Sequence, residues 1–255
     1  MSVFLEALIF DVDGTLADTE RDGHRLAFNA AFREFNLDWD WDVAIYGQLL
    51  AVTGGKERMK HYADTLRPDF VKPKDFDNLV IELHQAKTRH YTTLLAEGGI
   101  PMRPGVKRLL QAARSQGLRL AIATTTTPEN VTALLEHSLA PDAVSWFEQI
   151  GAGDIVPRKK PAPDIYTWVL ERMRLKPEQC FAFEDSSNGI QASRSARLKT
   201  LITINDYTCD HDFTGAVAVL SDLGEPDAPF KVLHGAVNGK QYVDLDLLQT
   251  WHASA

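Results

Sequence analysis

Apolar and polar positions change their spacing along the chain, and each change predicts a different kind of element. Ala7 to Phe10 is an uninterrupted apolar run, which predicts a short buried strand. It stops abruptly at Asp11-Val12-Asp13-Gly14-Thr15. From about Asp18 to Leu95 the spacing turns helical. Leu26, Phe28, Ala31, Phe32 and Phe35 recur at helical intervals, and helices also fit residues 42–51, 55–66 and 74–96. No strand is predicted there. Gly98-Gly99-Ile100-Pro101 reads as a hinge, because Gly and Pro interrupt regular structure.

Beyond the hinge the two periods alternate. Helices are predicted over residues 106–116, 128–137, 163–173 and 187–196, and strands over 118–123, 149–150, 180–183 and 199–204. Such alternation predicts a parallel sheet with helices on both faces. The expected fold is therefore α/β: a Rossmann-like core from residues 1–17 and 98–225, with a small all-helical cap inserted over 18–97. Residues 226–255 are expected as an extension packed on the core, and their mixed pattern predicts no definite element.

The chain has 255 residues, 44% apolar and 24% charged, with 27 Lys+Arg against 35 Asp+Glu and a net charge of −8. That acidic balance speaks against a nucleic-acid binder. It leaves an anionic small-molecule substrate open, since a metal or a few local cations can reverse the sign inside one cleft. No apolar run reaches the ~18 residues of a membrane span. Met1 to Glu6 lacks the basic and apolar regions of a secretory signal. Cys180 and Cys209 are too few for a disulfide framework. The expectation is a monomeric cytoplasmic protein, or one of an organelle stroma if a transit peptide has been removed.

Ligand sites of open α/β sheets lie outside the carboxyl ends of the strands. Asp11 and Asp13 stand at such an end, two residues apart, so an extended backbone points both carboxylates the same way. Alone, they also fit an ordinary Asp-Gly turn. Three further polar groups fall at predicted strand ends or helix starts: Thr124-Thr125-Thr126-Thr127, Lys159-Lys160, and Glu184-Asp185-Ser186-Ser187-Asn188-Gly189. Together they suit phosphoryl transfer. Asp11 can attack phosphorus as nucleophile, and Asp13 can serve as general acid and base. Asp11 and Asp185 offer hard oxygen ligands to Mg²⁺. Thr124 and Lys160 can hold the transferring phosphoryl oxygens.

These residues resemble the four motifs of the haloacid dehalogenase superfamily of phosphotransferases, and the helical insert resembles the family's C1 cap. The resemblance implies an aspartyl-phosphate enzyme, with Glu184 and the Asp13 backbone carbonyl joining the metal site, Glu184 either directly or from behind it. Dehalogenases of the superfamily lack the second Asp, so Asp13 argues against carbon–halogen hydrolysis. Thr53-Gly54-Gly55-Lys56-Glu57-Arg58, His24-Arg25-Leu26-Ala27-Phe28-Asn29, Ala121-Ile122-Ala123-Thr124-Thr125-Thr126 and Phe183-Glu184-Asp185-Ser186-Ser187-Asn188-Gly189-Ile190 resemble the CbbY-type sugar-phosphate phosphatases associated with the Calvin cycle. That likeness implies conversion of xylulose 1,5-bisphosphate to xylulose 5-phosphate, with Thr125, Thr126 and Asn188 among the substrate contacts. β-Phosphoglucomutase is the alternative enzyme, although this chain has Thr127-Pro128 where the mutases place a Lys. A non-catalytic phosphosugar-binding protein is the alternative of another class.

Within the cap, Gly54-Gly55-Lys56 fits a phosphate held by backbone N–H groups and a point charge; an exposed Lys after a turn is the other reading. His24 matches a cap His of related mutases, but also fits a satisfied structural His. Asp18 and Glu20 fit either helix-start carboxylates or ligands of a sugar hydroxyl. Lys87 and Arg89 read as solvated charges, Trp39-Asp40-Trp41 as cap packing, and Tyr46 as a residue within reach of the cleft.

Overall fold

The structure, a computed structural model, describes residues 4–254; Met1 to Val3, where the secretory-signal expectation falls in part, lie outside them. Seven strands form one sheet: β1 (Ala7–Phe10), β2 (Arg119–Ala123), β3 (Gln149–Gly151), β4 (Cys180–Glu184), β5 (Lys199–Thr203), β6 (Ala218–Leu220) and β7 (Val232–His234). Their order is β3-β2-β1-β4-β5-β6-β7, parallel throughout except for β7, which runs against β6. β1 lies inside the sheet and all four of its residues are buried, which explains its unbroken apolar run.

Alternation along the strands sorts the core. Leu8 and Phe10 join Leu120, Ile122, Phe181 and Phe183 on one face, against α5 (Val106–Ser115), α6 (Pro128–Leu134) and α9 (Leu245–Ala253). Ala7 and Ile9 join Ala121, Ala123, Cys180 and Ala182 on the other, against α7 (Asp164–Met173) and α8 (Ser187–Ser195). β6, β7 and α9 have no counterpart in the sequence-based expectation. Strands of three residues are too short to show a period, and α9 begins only after an irregular stretch, where Asp244 caps it by accepting from Leu247 N–H.

The helical insert contains α1 (Arg25–Glu34), α2 (Val43–Leu49), α3 (Gly55–His61) and α4 (Phe76–Ala96). Its core is aromatic: Phe28, Phe32, Trp39, Trp41, Tyr46 and Tyr62 are all buried, so both tryptophans pack as the sequence suggests. The predicted helix over 55–66 gives way at Tyr62 to a wider turn, closed by Arg67 N–H on the Tyr62 carbonyl. The two chain crossings between insert and sheet run side by side. Ala17 pairs with Met102, and Arg103 N–H donates to the Leu16 carbonyl at 2.9 Å.

Candidate active site

The end of β1 delivers Asp11, whose N–H donates to the Phe183 carbonyl at 3.0 Å. β4 delivers Glu184 and Asp185 alongside. Gly14, at φ +82°, turns the loop after Asp13; a Cβ there would lie 2.3 Å from Asp185 Oδ2. Gly189 opens the same space from α8, where a Cβ would lie 1.9 Å from Glu184 Oε2. Lys160 donates to Asp11 Oδ1 and to Glu184 Oε1, both at 2.6 Å, and the Tyr166 hydroxyl donates to Glu184 Oε1 at 2.5 Å. Asn205 Nδ2 donates to Asp185 Oδ2 at 2.7 Å. Thr124 is fixed at the end of β2 by its N–H to the Gly151 carbonyl, and its hydroxyl accepts from Thr126 N–H.

Three buried carboxylates thus share one ammonium. Burial pushes Asp11 well above the ordinary carboxylate range against the pull of Lys160, and burial with the Glu184 charge pushes Asp185 up to about 8. Burial works against the Lys160 cation, but Asp11 and Glu184 outweigh it and strengthen its hold on its proton.

Asp13 faces the other way in charge. Thr19 Oγ1 donates to its Oδ1 at 2.5 Å, and His24 Nε2 lies 2.9 Å from the same oxygen. Lys87 Nζ lies 2.9 Å from His24 Nδ1. An ammonium can only donate, so Nδ1 accepts and Nε2 carries the proton given to Asp13. Burial opposes ionisation of Asp13, but His24 and Thr19 overcome it and hold the carboxyl at about 2. Lys87 corrects the sequence-based expectation: it is buried beside His24, not solvated, and burial lowers it to about 8. Arg89 stays exposed and pairs with Glu34.

A cleft of about 340 Å³ joins Asp11, Asp13, Thr124, Lys160 and Asp185 to the insert through Glu20, Thr53 and Arg58, with Thr125 and Asn188 on its walls. Asn188 Nδ2 reaches across to Thr53 Oγ1 at 3.0 Å. A second cavity of about 40 Å³ continues beyond Asp13, Glu20 and Arg58 to Thr126. Sequence reasoning gave no role to Arg58. Its guanidinium donates to the Tyr46 hydroxyl at 2.9 Å, that hydroxyl donates to Glu20, and Glu20 stands 3.7 Å from Arg58. Tyr46 is therefore buried in this cluster. Asn205 and His211, also on the cleft wall, come from a loop with no sequence signal.

Two expected ligands stand elsewhere. Lys56 donates to Asp154 at 2.5 Å and is absent from the cleft wall; with Lys159, which pairs with Glu57 and Asp154, it ties the insert to the core. Asp18 lies 3.3 Å from Arg103 Nε in a separate cavity beside the crossing strands, outside the reaction cleft.

A family model described as a haloacid dehalogenase-like hydrolase matches residues 5–197. The chain belongs to the haloacid dehalogenase-like hydrolases. It is 45% identical to "Protein CbbY, plasmid" of Cupriavidus necator over 249 residues, 97% of each chain. Two crystal structures of CbbY from Rhodobacter sphaeroides match it with TM-score 0.80 and 42% identity over 86% of this chain and 95% of that one. One is in complex with phosphate, the other is a mutant in complex with xylulose-(1,5)bisphosphate. Haloacid dehalogenase-like hydrolases use a divalent metal, and the residues here fit one. Asp11, Glu184 and Asp185 bring ligand oxygens within 4.8 Å of one another, and Glu184 Oε2 is buried without a hydrogen-bond partner. A hard divalent cation would also relieve the repulsion that raises Asp11 and Asp185. Among the described residues the Asp13 carbonyl is left free by the turn, which uses the Val12 and Ala17 carbonyls instead. No helix among them is long and apolar enough to cross a membrane.

Proposed function

We propose that the protein is a Mg²⁺-dependent phosphatase that converts xylulose 1,5-bisphosphate to xylulose 5-phosphate and phosphate. One observation carries this reading. The acidic reaction site and a second polar cavity bearing Arg58 and Lys87 share Asp13, Glu20, Arg58 and Thr125 as walls, so a substrate with phosphate at both ends would have a partner for each. The likeness to a CbbY solved with xylulose-(1,5)bisphosphate supports it. The two free cysteines, one buried and one exposed, suit a reducing cytoplasm.

Lys160 fixes Asp11 through Oδ1, and with Thr124 faces the transferring phosphoryl group. Asp11 attacks phosphorus, the phosphorus–oxygen bond to C1 breaks, and the sugar oxygen takes a proton from Asp13. Asp13 is ionised at rest, so it must gain that proton as substrate arrives. An incoming phosphate dianion opposes the His24 and Lys87 dipoles and charge that hold Asp13 low, and so raises its proton affinity. Asp13 then returns as the base that takes a proton from water. The water oxygen attacks phosphorus, the Asp11–phosphorus bond breaks, and phosphate leaves. Asp11, Asp185 and the Asp13 carbonyl, with Glu184 beside or behind them, would hold Mg²⁺, which when bound would supply positive charge against the phosphoryl oxygens. Thr125, Asn188 and the Glu20–Tyr46–Arg58 cluster hold the sugar and its distal end.

Incubation of chelator-treated protein with xylulose 1,5-bisphosphate, with and without Mg²⁺, tests the reading. One equivalent of phosphate should be released, xylulose 5-phosphate should accumulate, and Asp11→Asn should release none. Equal efficiency on unrelated monophosphates, or conversion of β-glucose 1-phosphate to glucose 6-phosphate instead, would overturn it.

A further inference from the structure

The loop after β5 touches both the acidic floor of the cleft and the insert, yet the reaction described above makes no use of it. Asn205 stands at its start, where Ile204 N–H holds the chain to the Leu220 carbonyl of β6. Its Nδ2 donates to Asp185 Oδ2 at 2.7 Å, and its Oδ1 accepts from Tyr207 N–H at 2.9 Å. A carboxylate accepts and a backbone N–H donates, so this side-chain amide has one orientation. Asn205 N–H to Thr208 Oγ1 at 3.0 Å, and Thr208 N–H to the Asn205 carbonyl at 3.1 Å, close the turn. The side chain that holds Asp185 is therefore tied to the placement of Tyr207.

Tyr207 comes from the core, but its ring packs with the aromatic cluster of the insert, edge-on to Tyr46 with centroids 6.1 Å apart. It lies against Gly47 of α2, where a Cβ would come within 3.1 Å of Tyr207 Cδ1. The missing side chain at 47 makes the seat. The Tyr207 hydroxyl is buried without a hydrogen-bond partner, so the shape of the ring makes the contact. Other ties between insert and core do less. Arg21 with Asp206 is exposed on both sides and contributes little. Asn188 with Thr53, and Lys56 with Asp154, are not hydrogen-bonded to Asp11, Glu184 or Asp185 among the described residues.

Resting on the metal-dependent reading of this cleft, we infer that Asn205 is a positioning residue for Asp185, and that Tyr207, seated against Gly47, makes this positioning depend on the seated insert. Once the ring leaves its seat the turn is no longer fixed, and Asp185 loses the donor that orients it. Metal affinity and seating of the insert are then linked, and each strengthens the other by the same factor.

The test is Mn²⁺ binding to the full chain without substrate, read from the electron paramagnetic resonance signal of the free ion. The relevant site is the one that Asp185→Asn removes. Asn205→Ala should weaken it by about 10–100-fold, the usual cost of losing the residue that orients a metal ligand. Tyr207→Ala should weaken it by about ten-fold, whereas Tyr207→Phe, which keeps the ring, should bind as the parent does. Gly47→Val should weaken it too, although residue 47 lies on the insert and bonds to none of the three carboxylates. In the Tyr207→Ala background Gly47→Val should add nothing, because the contact it disturbs is already gone. Losses that multiply in the double variant would overturn the inference, as would parental affinity in either Asn205→Ala or Gly47→Val. Gly47→Val leaves every residue of the loop intact, so it keeps the test decisive if Tyr207→Ala lowers the melting temperature. A parent protein with no Mn²⁺ site that Asp185→Asn removes would break the metal-dependent reading, and this inference with it.

Discussion

At the floor of the cleft Asp11, Glu184 and Asp185 crowd around one ammonium, Lys160, whereas at its roof Arg58 and Lys87 are matched by Glu20 and Asp13. The floor is built from strand ends, where backbone pairing fixes each Cα and two glycines let the side chains close in. The roof is built from helices and an aromatic core, so its polar groups depend on helix phase. The floor is short of positive charge and suits a cation. The roof is balanced, and any anion added there must be met by groups able to change their hydrogen bonds. On the proposed function, one cleft would separate a part that performs the chemistry from a part that recognises the far end of the substrate.

Substitutions should divide along the same line. Asp13→Ala, at the junction, should slow hydrolysis of every phosphate ester by ~10²–10⁴-fold, the usual contribution of a general acid–base group. Rapid-quench kinetics should show both formation and breakdown of the phosphoenzyme slowed; two unaffected steps would remove Asp13 from the chemistry. Arg58→Ala should discriminate. Loss of a hydrogen bond to a charged group costs ~1.5–3 kcal/mol, so kcat/KM for the bisphosphate should fall by roughly one to two decades while a small monophosphate loses much less. Equal losses on both would place Arg58 in the framework rather than in recognition.

Lys87→Met sharpens the junction further. Lys87 lowers the Asp13 pKa from behind His24, so its removal should raise that pKa. A base is lost as pH falls through its pKa, so the acid limb of the pH–rate profile should move to higher pH. An unmoved limb would show that the chain of contacts ends at His24. The smallest effect belongs to Lys56→Ala. Its bond to Asp154 is a partly exposed ion pair, worth ~0.2–1 kcal/mol. Bisphosphate and monophosphate should both lose about fivefold at most, and a selective loss on the bisphosphate would return Lys56 to the substrate.

The difference also explains what the sequence could disclose. Asp11, Asp13, Thr124, Lys160, Glu184 and Asp185 all stand at strand ends or loops beside them, where an apolar run halts at a polar cluster, and the structure brings them together. The roof offers no such punctuation. Lys56 and Arg58 are two residues apart, about 200° around a helix, so one faces Asp154 and the other the cleft, and α3 is too short for its pattern to say which. Lys87 is different, because its signal was present. Val80, Leu83, Lys87, Tyr91 and Leu95 follow the three- and four-residue steps of one buried face. A charge on that face is committed to a partner inside. Arg103, which ties the Gly14, Thr203, Ile204 and Ser221 carbonyls together, looks in sequence like any surface arginine. β6 and β7 stayed hidden because three residues carry no period.

The paired crossing at Ala17 and Met102 carries a consequence for timing. Asp13 lies on the sheet side of that crossing, while Thr19, His24 and Lys87, which hold its carboxylate ionised, all lie on the insert side. Any swing of the insert about the crossing pulls these partners from Asp13 in the same movement that admits solvent. With Asp13 as the proposed proton-transfer residue, the arrangement would work as a safety interlock, holding its carboxylate in position only while the chamber is shut. A phosphorylated Asp11 exposed by an opened insert would meet abundant water but lack a base held in position.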